Sequence, residues 1–354
     1  MTRVCLLFGG KSGEHEVSCR SAASVARHLD PARYELLLVG IDRDGVWHRQ
    51  ERGSFVREPY GERLEILPAG EPTVVVPGRG LAVGNSALPV DVVFPVLHGT
   101  FGEDGTVQGL LELADLPYVA SGVLGSSLAM DKEKTKQVWR EAGLPVVDFV
   151  VLRDSSSVSL RRVSRRFRFP VFVKPACAGS SVGITRVPSA TALEDAVREA
   201  FRYDTKVIVE PAVNAREIEC AVLGDQEPEA FPPGEIIPAH EFYSYEAKYV
   251  DPEGARLEIP AALPARVETQ VRALAVQAFI QVEASGMARV DFFLEHRTNR
   301  LYLNEINTIP GFTNISMYPK LCEAAGTPYP ALLDRLIELG LARHARRRGL
   351  RFAR

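Results

Sequence analysis

Residues 4–10 read Val-Cys-Leu-Leu-Phe-Gly-Gly, five apolar side chains running into a pair of glycines. An unbroken apolar run of that length, stopped by glycine, is the pattern of a strand buried on both faces. Downstream, Ser18–Leu29 sets Ala22, Ala23, Val25, Ala26 and Leu29 along one side of an expected helix. Tyr34–Ile41 is a second strand-like run, and Val90–Leu97 a third, ending at His98-Gly99. Strands alternating with helices predict a doubly wound parallel sheet, so the chain opens with an α/β unit. Residues 43–88, rich in Gly, Pro and charge, are expected as hairpins or loops.

The rest of the chain bounds what that unit serves. At about 150 residues per domain, 354 residues make two to three domains. An apolar fraction of 46% with 25% charged residues excludes wholesale disorder. Forty-two Lys plus Arg against 45 Asp plus Glu leave a net charge of −3, with no general drive toward nucleic acid or anionic lipid. No stretch approaches the ~20 apolar residues of a membrane span, and the N-terminal apolar run is too brief for a signal peptide. A cytoplasmic protein with small-molecule partners is the expectation. The five cysteines are scattered, with no C-x-x-C spacing, which argues against a disulfide framework or a structural zinc. The basic run at 343–348 is expected as the solvated end of a last helix, Tyr329–Gly340.

Two glycine-rich loops invite comparison with phosphate sites. Gly10-Lys11-Ser12 fails as a Walker A motif, because position 5 is Cys5 where that motif has glycine. Residues 171–184, VFVKPACAGSSVGI, deliver Lys174 on an apolar strand into a run of small residues and then another strand. Small residues let backbone N–H groups approach an anion, and the lysine adds a point charge. The same pattern also suits a flexible hairpin turn with a strand-end lysine. Between the loops, Leu128–Ala142 reads as one helix, started by Ser126/Ser127 and stopped by Gly143.

Residues 288–294 and 301–307 flank a turn-like HRTN at 296–299. An antiparallel hairpin centred on Thr298 sets Asp291 opposite Glu305 and Arg289 opposite Asn307. With a side-chain period of two, all four share one face, with Phe293 and Leu303 nearer the turn. Val290, Phe292, Leu294, Tyr302, Asn304 and Ile306 form the other face. Two carboxylates and an amide oxygen beside an arginine make a hard-oxygen site suited to Mg²⁺.

Seven stretches, FGGKSGEHEVS (8–18), LHGTFGEDG (97–105), MDK (130–132), KPACAGSSVG (174–183), FYSYEAKY (242–249), ARVDFF (288–293) and NEINTIPGFTNISMYPK (304–320), together resemble the D-alanine–D-alanine ligases of the ATP-grasp superfamily. The resemblance spans essentially the whole chain. It implies an α/β (α+β overall) protein with three domains: an N-terminal parallel α/β domain (1–120), a central domain (121–207) and a C-terminal catalytic domain (208–354). ATP would be held between the last two. By similarity, Lys132 and Lys174 contact its phosphates under the loop carrying Ser180 and Ser181. Glu210 and Val213 meet adenine mainly through backbone, and Glu217 meets the ribose. Asp291, Glu305 and Asn307 match ligands of two Mg²⁺ ions, for which Mn²⁺ can substitute.

The implied reaction joins two D-alanines through an acyl phosphate and a tetrahedral intermediate, for peptidoglycan precursor synthesis. Arg289 and the Gly311 N–H match oxyanion stabilisers. Glu14 matches the carboxylate for the first D-alanine's ammonium. His98, Ser316 and Met317 match the second subsite. Lys248 and Tyr249 belong to a lid in this family, Lys248 reaching the phosphates and Tyr249 latching to Ser180. The lid sequence EAKY (246–249) argues against D-lactate as second substrate, and D-serine is the harder alternative to exclude. A homodimer is implied by the resemblance alone.

Overall fold

A computed structural model describes all residues except 51–54, 59–60, 69, 181, 239–253 and 352–354. The N-terminal sheet runs in the order Trp47–Gln50, Tyr34–Ile41, Thr2–Gly9, Val92–Val96. The last three strands are parallel, and Trp47–Gln50 is an antiparallel edge. Alternation sorts the two faces: Val4, Leu6 and Phe8 pack with Ala22, Ala23 and Val25 of the helix His15–His28. Cys5, Leu7 and Val93 pack with Val107 and Leu111 of the helix Thr106–Leu113. The first helix starts at His15 rather than at Ser18. Ser18 is used otherwise, its Oγ accepting from Gly9 N at 2.7 Å and donating to Val96 O, which ties the helix to two strand ends.

Residues 43–88 hold the expected hairpins: Phe55–Glu58 with Gly61–Leu64, and a three-strand meander over Thr73–Val76, Gly80–Val83 and Ser86–Leu88. Where one helix was expected over Leu128–Ala142, there are two, Val123–Met130 and Lys132–Glu141, broken at Asp131. Asp131 leaves helical geometry and its Oδ1 accepts from Lys134 N at 3.1 Å, so it caps the second helix. Trp139 of that helix is fully buried and donates to Ala278 O at 3.0 Å.

The second sheet is antiparallel, ordered Val150–Leu152, Val207–Pro211, Val171–Pro175, Thr185–Val187. Helices Ser157–Arg166 and Leu193–Ala200 share its core. The third sheet runs Ala255–Glu258, Gly234–Pro238, Ala215–Gly224, Gly286–Glu295, Leu301–Asn307, with Glu229–Ala230 on an edge. One face, with Ile218, Cys220, Val222, Val290 and Phe292, is buried under the helix Ala265–Gln281 and Trp139. The opposite face carries Glu217, Glu219, Arg289, Asp291 and Phe293, which is what positions the site.

The final helix, Tyr329–Arg348, returns to the N-terminal sheet and buries Leu332, Leu333, Leu336 and Ile337 with Val4 and Phe94. The basic run is solvated over residues 345–348, as expected, and it also clasps the elements beside it. Arg343 donates to Tyr118 O at 2.9 Å and to Ala120 O, Arg347 pairs with Glu112 at 2.8 Å, Arg348 with Asp115 at 2.9 Å, and Arg346 with Asp225. Acidic side chains and carbonyls at and after the C-terminal end of the helix Thr106–Leu113, with Asp225 after the strand Ala215–Gly224, supplied the partners that composition could not show. All five cysteines are unpaired thiols, four of them buried. Among the described residues no helix is long and apolar enough to cross a membrane.

Candidate active site

The inner half of the predicted hairpin register holds: Arg289 faces Asn307, Val290 faces Ile306 and Asp291 faces Glu305. A β-bulge then shifts the pairing by one, so that Phe292 faces Leu303 and Phe293 faces Tyr302. The bulge corrects the expected faces. Leu303 turns into the core, and Asn304 turns out beside Glu305 onto the cleft. One extra residue thus places two consecutive polar side chains on the same side.

That face and the antiparallel sheet of Lys174 enclose a cleft of about 760 Å³. Lys132, Lys174, Ser180, Glu210, Val213, Glu217, Asp291 and Glu305 all line it. It joins a smaller chamber of about 60 Å³ lined by Glu14, Glu103, Arg289, Asn307 and Thr308, with Lys132, Ser180 and Glu305 shared between the two. A roomy compartment and a tight one meeting at a lysine and a carboxylate suit the transfer of a group from a large ligand to a small one.

Each side chain is held by named partners. Lys132 Nζ donates to Ala178 O at 2.6 Å and lies 3.9 Å from Glu305. Lys174 Nζ donates to Glu210 Oε2 at 2.8 Å and sits 3.5 Å from Asn304 Oδ1. The other Glu210 oxygen lies 2.9 Å from Lys136 Nζ. Burial alone would raise the Glu210 carboxyl, but the two ammonium groups outweigh it and hold it down at about 2. Burial opposes the charge of Lys174, yet Glu210 leaves its ammonium above the usual range. The Glu210 side chain, 2% exposed, is the bridge between two lysines.

Arg289 grips both Asp291 oxygens, at 2.8 and 2.7 Å, and lies 3.1 Å from Glu219. Glu14, buried, accepts from the Ser180 hydroxyl. A Cβ at Gly99 or at Gly179 would stand 2.7 Å from Glu14 Oε2, so both glycines are needed for the backbone to close on this carboxylate. Glu103 accepts from Gly99 N at 2.7 Å and Ile309 N at 3.2 Å, and burial, with the charge of Glu14, pushes its carboxyl up to about 8.

His98 is buried and does not line either compartment. Its Nδ1 donates to Ile309 O at 3.0 Å, so its Nε2, 3.2 Å from Ser21 Oγ, accepts. Burial lowers its proton affinity, which keeps the ring neutral. The Ser21 hydroxyl in turn accepts from Phe312 N at 3.2 Å, so the pair braces the loop on either side of Gly311. Ser316 Oγ accepts from Thr313 N at 3.0 Å and packs so near Gly311 that a Cβ there would stand 2.7 Å away. The Met317 side chain is in the core, against Gly234, so only its backbone can serve a ligand. Ser181, Lys248 and Tyr249 lie outside the described residues.

Sequence reading missed Lys136, Glu103, Glu219 and Asn304. Lys136 stands four residues after Lys132 and Glu219 two after Glu217, spacings that place each on its neighbour's face once helix and strand are assigned. Glu103 lay inside a quoted motif with no role attached.

A D-ala D-ala ligase N-terminus family model matches residues 3–121, and a D-ala D-ala ligase C-terminus model matches residues 138–338. The chain is 50% identical over 352 residues to the D-alanine–D-alanine ligase of Solibacter usitatus, covering 99% of each. This chain belongs to the D-alanine–D-alanine ligase family. Its fold is that of the family's ATP-grasp ligases, and it is an enzyme of the ligase class. The D-alanine-D-alanine ligase structure from Coxiella burnetii superposes with a TM-score of 0.84 at 39% identity, covering 98% of this chain and 96% of that one. A D-Ala:D-Ser ligase from Enterococcus faecalis does so with a TM-score of 0.83 at 33% identity, covering 96% and 99%.

Proposed function

We propose that this ligase joins two D-alanines into D-alanyl-D-alanine with conversion of ATP to ADP and phosphate, in the cytoplasm, for peptidoglycan precursor synthesis. The observation that carries the reading is the meeting of the two compartments at Lys132 and Glu305, with Glu14 and Arg289 in the smaller one. ATP lies in the larger cleft, its base toward Glu210 and Val213, its ribose toward Glu217 and its phosphates toward Lys132 and Lys174. The division into domains at 1–120, 121–207 and 208–354, and a homodimeric assembly, belong to the same proposal.

The donor set fits Mg²⁺. Among the described residues no three His, Cys, Asp or Glu side chains form a ready-made metal cluster. Asp291 and Glu305 supply two carboxylates and Asn307 an amide oxygen, leaving the remaining positions to phosphate and water, as this ion prefers. The Arg289 fork on Asp291 is compatible, since a carboxylate has about four lone-pair sites. When bound, two such ions (Mg²⁺, or Mn²⁺ in its place) offset charge on the phosphate oxygens.

Glu14 holds the ammonium of the first D-alanine, which points that molecule's carboxylate at the terminal phosphate. Carboxylate oxygen attacks phosphorus, ADP departs and an acyl phosphate forms. The amine of the second D-alanine attacks the acyl carbon, and Arg289 with the Gly311 N–H stabilises the resulting oxyanion, at ~3–4 kcal/mol per donor. Collapse expels phosphate. His98 braces the Gly311 loop in this scheme, because its accepting nitrogen already holds the Ser21 hydroxyl. Ser316 and the Met317 backbone receive the second carboxylate, and Lys248 and Tyr249 close the lid.

The test is phosphate release from ATP with Mg²⁺ over D-alanine, D-serine and D-lactate, with product mass recorded. D-alanyl-D-alanine as main product supports the reading; turnover confined to a mixed pair refutes D-alanine as second substrate. Glu305→Ala should abolish turnover in a folded protein, and near-normal turnover would sink the metal assignment.

A further inference from the structure

Lys136 has no part in the reaction as described, yet its side chain is 1% exposed and stands against a buried carboxylate. A lysine is seldom buried so fully without a partner that needs it. It stands one helical turn after Lys132, on the same face of the helix Lys132–Glu141, but reaches past the cleft wall and does not line the cleft. Its Nζ lies 2.9 Å from Glu210 Oε1, while Glu210 Oε2 accepts from Lys174 at 2.8 Å. Each oxygen of one carboxylate therefore faces one cation, and only one of these cations, Lys174, borders the cleft. On the cleft side, the Lys174 ammonium is also 3.5 Å from Asn304 and 5.9 Å from the ring centre of Phe293.

Resting on the nucleotide reading above, we propose that Lys136 is a positioning residue for nucleotide binding: it holds Glu210 as a placed carboxylate, so that Lys174 can pass from Glu210 to a phosphate. Without Lys136, that movement would strand a buried anion with no cation beside it. Lys174 would then stay on Glu210 and the phosphates would lose a cation. Burial weakens the hold of Lys136 on its proton, and the adjoining carboxylate offsets this in part.

The test compares wild type with Lys136→Met by calorimetry with ADP and Mg²⁺, and by steady-state kinetics in ATP and in D-alanine. ADP affinity should fall, and KM for ATP rise, by about tenfold or more, with kcat and KM for D-alanine within about threefold. Nucleotide parameters within about twofold of wild type overturn the proposal, as does an equal loss toward ATP and D-alanine, which marks a merely structural role. Adding Glu210→Gln to Lys136→Met should restore part of the ADP affinity, because no anion is then stranded; no recovery overturns the proposal. If Lys136→Met does not fold, Lys136→Gln, which keeps an N–H donor but no charge, is read against the same thresholds. Wild type that binds ADP but forms no product from D-alanine refutes the ligase reading alone, since the calorimetric comparison still judges Lys136.

Discussion

Replacing Glu210 by glutamine removes the charge at the centre of the Lys136–Glu210–Lys174 triad and changes little else in shape. The neutral amide stands in for the protonated acid, so the cost follows from how far the fold displaces the carboxyl. Folding lowers it from 4.5 to about 2. That fall is worth ~3 kcal/mol of stability at neutral pH. A carboxyl depressed in the folded state contributes its stability above its unfolded value and loses it as pH falls through the folded one. Glu210→Gln should therefore be ~3 kcal/mol less stable than wild type at about pH 6, and the deficit should shrink to ~1 kcal/mol by about pH 3. Urea unfolding of both proteins across that window, followed by fluorescence with a common m-value, measures it. A deficit that does not change with pH, or one under ~1 kcal/mol at about pH 6, would refute the charge argument and assign the effect to packing.

Other perturbations test the remaining contacts. Gly179→Ala puts a methyl 2.7 Å from Glu14 Oε2, so the KM for the first D-alanine should rise by about tenfold or more while ADP binding changes little; an unchanged KM would show that the loop is free to shift. Arg343→Met removes two hydrogen bonds to the buried carbonyls of Tyr118 and Ala120 and should cost ~2–4 kcal/mol in urea unfolding, whereas a loss under ~0.5 kcal/mol would mean that water replaces the guanidinium there. Ser21→Ala frees the accepting nitrogen of His98 and the Phe312 N–H, so kcat should drop by about tenfold with KM for ATP unchanged; full activity would remove the bracing role of His98.

Local periodicity made much of this legible. The alternation of Val4 to Phe8 sorts directly into two packed faces, and the pairing of Asp291 with Glu305 follows from counting outward from Thr298. What counting could not reveal is the bulge at Asn304, because a single extra residue has no signature in an apolar–polar pattern. The break at Asp131 was hidden for a related reason: the apolar positions on either side fit one helix, and only the cap shows two. Long-range partners were illegible altogether. Nothing near Lys136 points to Glu210, and nothing near Arg343 points to Tyr118, since these meetings are decided by how whole sheets pack. Of the site residues drawn from family likeness, Glu14, Lys132, Lys174, Ser180, Glu210, Val213, Glu217, Arg289, Asp291, Glu305 and Asn307 fall on two joined compartments, whereas His98, Gly311, Ser316 and Met317 line neither and Ser181, Lys248 and Tyr249 lie outside the described residues.

The C-terminal helix has a consequence for the order in which the protein can be made. Leu332, Leu333, Leu336 and Ile337 complete the core that begins with Val4, Leu6 and Phe8, and Ser24 meets Tyr329 across 305 positions of chain. During synthesis the first sheet emerges early with that face covered in part by the helix His15–His28, and the rest of its cover follows only with residues 329–348. The N-terminal unit must therefore wait, sticky and half-dressed, until the helix Tyr329–Arg348 has been made. A ribosome that stops short of residue 329 releases a polypeptide with every nucleotide-facing residue in place and its largest core open, which is a substrate for chaperone or protease rather than an enzyme.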